Sequence, residues 1–158
     1  MSTTPNSIIT PQTANIGALN VVLSAAMTST NAFDGTMAVG TSMALLYTVG
    51  ANGGTLPVLR AKYSGTNGTA PSGASNATVL RLWLNNGSAN TTPANNTFFD
   101  EVNVPSASMS INSSVAALTY DFGKLALPAG TKIYGGLGAA MGGTNCALAV
   151  SMAGGGDF

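Results

Sequence analysis

Residues 77–87 read ATVLRLWLNNG, and the reading of this stretch decides the fold. In an extended chain successive side chains point to opposite faces, so Thr78, Leu80, Leu82 and Leu84 share one face while Val79, Arg81, Trp83 and Asn85 share the other. Three alternating leucines form a surface that water disfavours, which makes that face the core. An arginine beside the chain's single tryptophan on the opposite face predicts a second, more polar layer of contact. Asn86-Gly87 then supplies residues that tolerate positive φ, so a tight turn follows. A strand without a bare face belongs to a layered β structure.

Similar signals run outward in both directions. Residues 56–63 (LPVLRAKY) alternate Val58, Arg60 and Lys62 with Leu59, Ala61 and Tyr63, giving a charged face and an apolar one; Pro57 either opens this strand or places it at an edge. Residues 43–49 (MALLYTV) and 17–26 (GALNVVLSAA) read as earlier core strands, separated by a loop around Phe33 whose Asp34-Gly35 step signals a turn. Downstream, 97–104 (TFFDEVNV) sets Phe98, Asp100, Val102 and Val104 against Thr97, Phe99, Glu101 and Asn103, and Pro105 ends it. Short strands fit 109–111, 118–122 and 132–137, with a turn at Pro128-Ala129-Gly130, and 146–152 closes the chain. Two loops of small polar residues, 64–76 and 86–96, flank the 77–87 strand and should emerge at its opposite ends. Strand after strand with no helical period makes the class all-β: an antiparallel β-sandwich, jelly-roll-like, of eight to nine strands over 17–158. Residues 1–16, with Pro5, Pro11, Ile8, Ile9 and Ile16 among small polar residues, read as an extended N-terminal arm that docks elsewhere.

Composition narrows the function. Ten of 158 residues are charged, five of each sign, which is too few for a nucleic-acid binder needing clustered Lys and Arg. At 45% hydrophobic the chain is not disordered, and its polar surface must come from Ser, Thr and Asn. A surface with so little like-charge repulsion tends to associate, so the expected working state is packed against copies or a scaffold. No apolar run reaches the length of a membrane helix, and MSTTPNSIITPQTAN has neither the basic nor the apolar region of a secretory signal.

With no histidine and a single cysteine, Cys146, the sequence excludes Ser-His-Asp and Cys-His catalysis, His/Cys zinc sites and an intrachain disulfide. Cys146 lies in the apolar run NCALAVSMA and reads as a small buried hydrophobe. Neither GxxxxGK[ST] nor GxGxxG occurs, no acidic loop has calcium-site spacing, and no cofactor is expected. The carboxylates are Asp34, Asp100, Glu101, Asp121 and Asp157. Asp100 and Glu101 are neighbours on a strand and face opposite ways, so a glycosidase-like pair would need one of them with Asp121. The stronger expectation is that these groups neutralise Arg60, Lys62 or Arg81 across strands, Arg81 above all because its partial burial beside Trp83 calls for a carboxylate or an aromatic face.

Over residues 77–158 the chain resembles small structural proteins of tailed-bacteriophage virions, head decoration or cement proteins in particular. The stretches that carry the likeness are VLRLWLNNG followed by NTTPANNTFFDEVNVP, then LTYDFGKLALPAGTKIYGGLG, then a short last strand with a glycine-rich end. The resemblance implies a β-sandwich, homotrimeric, made in the host cytoplasm and seated on the outer surface of the head, where it binds the major capsid protein and bridges neighbouring capsomers. It also implies that an N-terminal arm supplies part of the grip, and it carries over no functional residue. The candidate assembly contacts are therefore Ile8, Ile9 and Ile16 in the arm and Arg60 and Arg81 on strands, with no catalytic, metal, nucleic-acid or membrane site. The alternative is a tail-tip, fibre or spike module that recognises a receptor or glycan through loops 64–76 and 86–96.

Overall fold

The alternating segments form strands, and little else is regular. The computed structural model describes residues 14–15, 21–36, 42–66, 68–153 and 155–157. In chain order the strands are β1 (Ala14–Asn15), β2 (Val21–Leu23), β3 (Met43–Thr48), β4 (Gly54–Thr55), β5 (Val58–Gly65), β6 (Gly73–Ala74) and β7 (Thr78–Asn85). There follow β8 (Asn96–Val104), β9 (Ser108–Met109), β10 (Leu118–Tyr120), β11 (Ala126–Leu127), β12 (Lys132–Leu137), β13 (Cys146–Ala153) and β14 (Gly155–Asp157). Helical turns among the described residues are confined to α1 (Asn31–Asp34) and a 3-10 turn at Pro93–Asn95. The arm residues Ile8, Ile9 and Ile16 lie outside the described residues.

The chain is all-β, and every ladder between named strands is antiparallel. The long strands make two sheets, ordered β10-β5-β13-β2 and β3-β12-β7-β8; short segments add a sheet β1-β14-β4-β11 and the pair β6-β9. Successive long strands alternate between the two main sheets, the exception being the hairpin β7-β8. Pro57 opens β5, which lies between β10 and β13, so the missing N–H falls ahead of the ladder.

The facing surfaces of the two sheets meet in one core. Leu46, Leu80, Leu82, Ile133 and Leu137 come from one sheet and Leu23, Leu59, Ala61, Leu148 and Val150 from the other. Burying one such leucine against the extended chain is worth about 2–3 kcal/mol, so this row dominates stability. Gly135 faces the same core because a Cβ there would sit 2.7 Å from Leu46 Cδ1, too close for any side chain. Cys146 is buried in this core, as its apolar run predicts.

The strict alternation expected over 97–104 fails at one place. β8 pairs Asp100 with Leu82 and Phe98 with Trp83, so Phe99 is an extra residue in a β-bulge. Phe98 therefore does not share a face with Asp100. Its ring lies 5.8 Å from the Trp83 ring on the outer side, while Phe99 stacks on Phe122 at 5.9 Å toward the core. β3 has a matching irregularity, pairing Tyr47 with Ile133 but Leu45 with Tyr134.

Leu82 is fully buried at the centre of the inner face. Leu82→Ala should lower unfolding free energy by about 3 kcal/mol, measured by urea unfolding followed through Trp83 emission. Leu82→Asn should give no folded protein, because a buried amide without partners adds a desolvation penalty to the lost packing; a soluble, cooperative Leu82→Asn protein would show the faces to be wrongly assigned.

Candidate functional site

The sandwich has two outer faces, and the side chains treat them differently. On the β3-β12-β7-β8 sheet the outer face is covered. The chain leaving β2 crosses this surface, Met27 sitting on Gly136 and α1 lying over β7, and Trp83 is sealed beneath it with Met27, Ala32, Met43 and Tyr134. Gly35 makes this closure possible. It ends α1 at φ 68°, accepted readily only by glycine, and a Cβ there would lie 2.8 Å from Trp83 Cδ1.

Arg81 fastens the cover. Its Nε donates to Glu101 Oε1 at 2.7 Å, its Nη1 donates to the Ala32 carbonyl at 2.7 Å, and its guanidinium lies 5.1 Å from the centroid of the Phe33 ring. Both the carboxylate and the aromatic face that a half-buried strand arginine needs are thus present, with Glu101 directly across the ladder. These contacts commit Arg81 to holding α1. Phe33 remains 78% exposed and Phe98 47%, so aromatic surface flanks the ion pair. Trp83 Nε1 is buried and has no hydrogen-bond partner among the described residues, a defect worth about 1–3 kcal/mol that the burial of the indole offsets.

On the β10-β5-β13-β2 sheet the outer face carries Val58, Arg60 and Lys62 on β5, flanked by Ala149 and Ser151 on β13 and Thr119 on β10. A recess of about 290 Å³ is lined by Arg60, Lys62, Ala149, Val150 and Ser151, and a second of about 160 Å³ lies on the other side of Lys62, against Tyr63, Pro71, Met109 and Ser110. The expected carboxylate neutralisation of Arg60 and Lys62 does not occur: among the described residues the ion pair is Arg81–Glu101. Three other acids are engaged locally. Asp34 accepts from Thr36, Asp121 accepts from the Gly123 amide, and Asp100 accepts from the Tyr120 hydroxyl and the Glu101 amide. Arg60 and Arg81 therefore stand on opposite layers and are not brought into one site.

Asp100 and Glu101 do face opposite ways. The hydrogen bond from Tyr120 holds the Asp100 carboxyl below the usual carboxylate range, whereas a general acid would need it raised. The same bond, with some burial, pushes the Tyr120 phenol up to about 12. The two polar loops leave opposite ends of β7, as their positions predict. Part of 64–76 is tied down, β6 pairing with β9 and Ser72 with Thr144. The 86–96 loop is held by amides: Asn85 to Asn96 at 2.8 Å, Asn86 to Asn95 at 3.1 Å, and Asn96 to the carbonyls of Asn90 at 2.7 Å and Asp34 at 3.1 Å. This amide network and the α1 cover are features that strand periodicity does not reveal; the Asp34-Gly35 step was the one local signal for the cover.

Two measurements check this geometry. Gly35→Ala should destabilise by about 1–2 kcal/mol and shift Trp83 emission to the red, through positive-φ strain and the clash with the indole. For the Asp100–Tyr120 bond the signs are opposite. Tyr120's raised value contributes stability in full below its unfolded value of about 10, and this is lost as pH rises toward about 12. Asp100's lowered value contributes stability above the normal carboxylate range, lost as pH falls through its folded value. In Asp100→Asn the phenolate absorbance of one tyrosine should move to lower pH, and the acid limb of the stability profile should flatten; an unchanged alkaline titration would refute the bond.

Compared with protein-family models, curated proteins and solved structures, the chain matches none, so its function has to be read from its own side chains.

Proposed function

We propose that this chain is a non-enzymatic structural protein of a tailed-phage virion, a decoration or cement protein that binds the outer shell of the head and bridges neighbouring copies of the major capsid protein, working as a homotrimer. The observation that carries the reading is the contrast, among the described residues, between the outer faces: α1 roofs one, while on the other Arg60 and Lys62 stand on β5 with no ion pair. The strand order supports the same reading. β2-β13-β5-β10 facing β3-β12-β7-β8 with crossovers between sheets is compatible with a jelly roll, an architecture used by viral capsid domains. A jelly roll hosts other functions too, so the order lends weight without deciding the role.

Lectins also use this architecture, and the amide-held 86–96 loop favours a second reading, a tail-tip, fibre or spike module that recognises a glycan or receptor. The companion loop, 64–76, lies at the other end of β7, so such a module would have to use one loop alone.

The test adds purified protein to heads that lack it. The decoration reading expects a trimer by light scattering, saturable binding over the whole head surface by electron microscopy, and a higher temperature of head rupture. A protein that stays monomeric at high concentration and leaves the heads bare sinks it, and density confined to the tail tip would install the second reading instead.

A further inference from the structure

We propose that the Arg60–Lys62 face receives an extended acidic segment of a partner protein whose carboxylates fall on alternate residues; the inference rests on the assembly reading above and names the chemistry of its partner. The chain has five cations. Arg81 is used within the fold, Lys132 donates to the Gly87 carbonyl at 2.9 Å, and Lys124 sits in a turn at φ 61°. Arg60 and Lys62 differ from these in position, although Lys62 too donates to a backbone carbonyl. They stand on one sheet face two residues apart, hence about 6.5–7 Å along β5, the repeat of same-side residues in any extended chain. An acidic segment lying along β5 would present carboxylates at the same spacing.

The ground around the two cations is low. Ala149 stands beside Lys62 and Ser151 beside Arg60 on β13, with Thr119 beside Arg60 on β10, so a partner backbone can come close to the sheet between longer side chains. Lys62 spends one donor on the Val115 carbonyl, which sets its ammonium between the two recesses and leaves donors to spare. β5 is hydrogen-bonded on both sides, by β10 and β13, so the partner cannot add to this sheet as a strand; it must lie on the face and be read through side chains. Asp121, exposed between the core residues Tyr120 and Phe122, is the chain's own carboxylate on the neighbouring strand's extension, and it makes no ion pair with Arg60. Two cations are too few to track a nucleic-acid backbone, and this favours a protein carboxylate over phosphate.

The experiment measures fluorescence anisotropy of a short labelled peptide alternating Glu and Thr, with the full chain at low salt. Comparators are a peptide of the same composition with its Glu residues in one block, and a single-stranded oligonucleotide. The alternating peptide should bind best and weaken as salt rises. Arg60→Ala should weaken it by about fivefold and Lys124→Ala, which removes the same charge elsewhere, by no more than about twofold. Equal losses in the two variants would reduce the effect to net charge and overturn the proposal, as would equal binding of the blocked peptide or tighter binding of the oligonucleotide. Trp83 emission reports that each variant is folded. Peptide binding without binding to heads keeps this surface and removes only the capsid as its partner.

Discussion

The constraint on which this structure depends is that β7 must be buried on both faces. Leu80 and Leu82 on one side and Trp83 on the other are fully inaccessible to water, so a single opposing sheet cannot satisfy the strand. The inner side is met by the leucine-rich face of the β10-β5-β13-β2 sheet. The outer side needs a separate cover, and the chain between β2 and β3 supplies it. That cover is one turn of helix, too short to be stable alone, and it holds because Gly35 lets it lie against the indole and because Arg81 reaches up from the strand beneath to the Ala32 carbonyl and the Phe33 ring. The arginine and the tryptophan, two residues apart on the same face, thus form one device: the indole gives the cover something apolar to rest on, and the guanidinium ties it down.

Charge is scarce in this chain, so the positions where it appears are informative. Asp100 and Glu101 lie on β8, an edge strand among the described residues, and the Phe99 bulge interrupts the same edge. A long, flat, uncharged edge invites pairing with another chain, and adjacent carboxylates with a bulge are devices that discourage it. Each carboxylate also has an inward task, Asp100 holding the Tyr120 hydroxyl at the rim of the core and Glu101 holding Arg81. Two of the ten charged residues therefore guard an edge and brace both layers at once.

Much of this was legible in residues 77–87. Alternation predicted both faces of β7 and the charged and apolar faces of β5, and the need of Arg81 for a carboxylate or an aromatic face followed from its place beside Trp83. Periodicity failed where geometry departs from period two. The extra residue at Phe99 has no signature in TFFDEVNV, because a bulge changes pairing without changing composition, and so strict alternation sets Phe98 with Asp100 whereas it lies with Trp83. The cover over Trp83 was hidden for a different reason: a four-residue helix carries no period, and its binding is a tertiary event that brings Gly35 and Trp83 together across 48 positions of sequence. The pairing of cations was hidden likewise. Sequence offers five acids and five bases but no distances, and local donors, a tyrosine hydroxyl and backbone amides, took the Asp100 and Asp121 carboxylates first.

The two faces then divide the work. Roofing one face consumes the aromatic and cationic groups of β7, and those groups can do little else while they hold the roof. On the other face, among the described residues, no helix lies over the sheet and no carboxylate pairs with Arg60 or Lys62, and the β5 and β13 strands are already paired within the sheet, so what it offers a neighbour is side-chain chemistry on a hydrogen-bonded support. Rigid presentation matters because long cationic side chains lose entropy when they bind, and β5 fixes the spacing of Arg60 and Lys62 before any partner arrives. In a chain with so few charges, such a fixed pair is a more selective feature than it would be on an ordinary surface, since little else on the molecule competes for the same acidic partner.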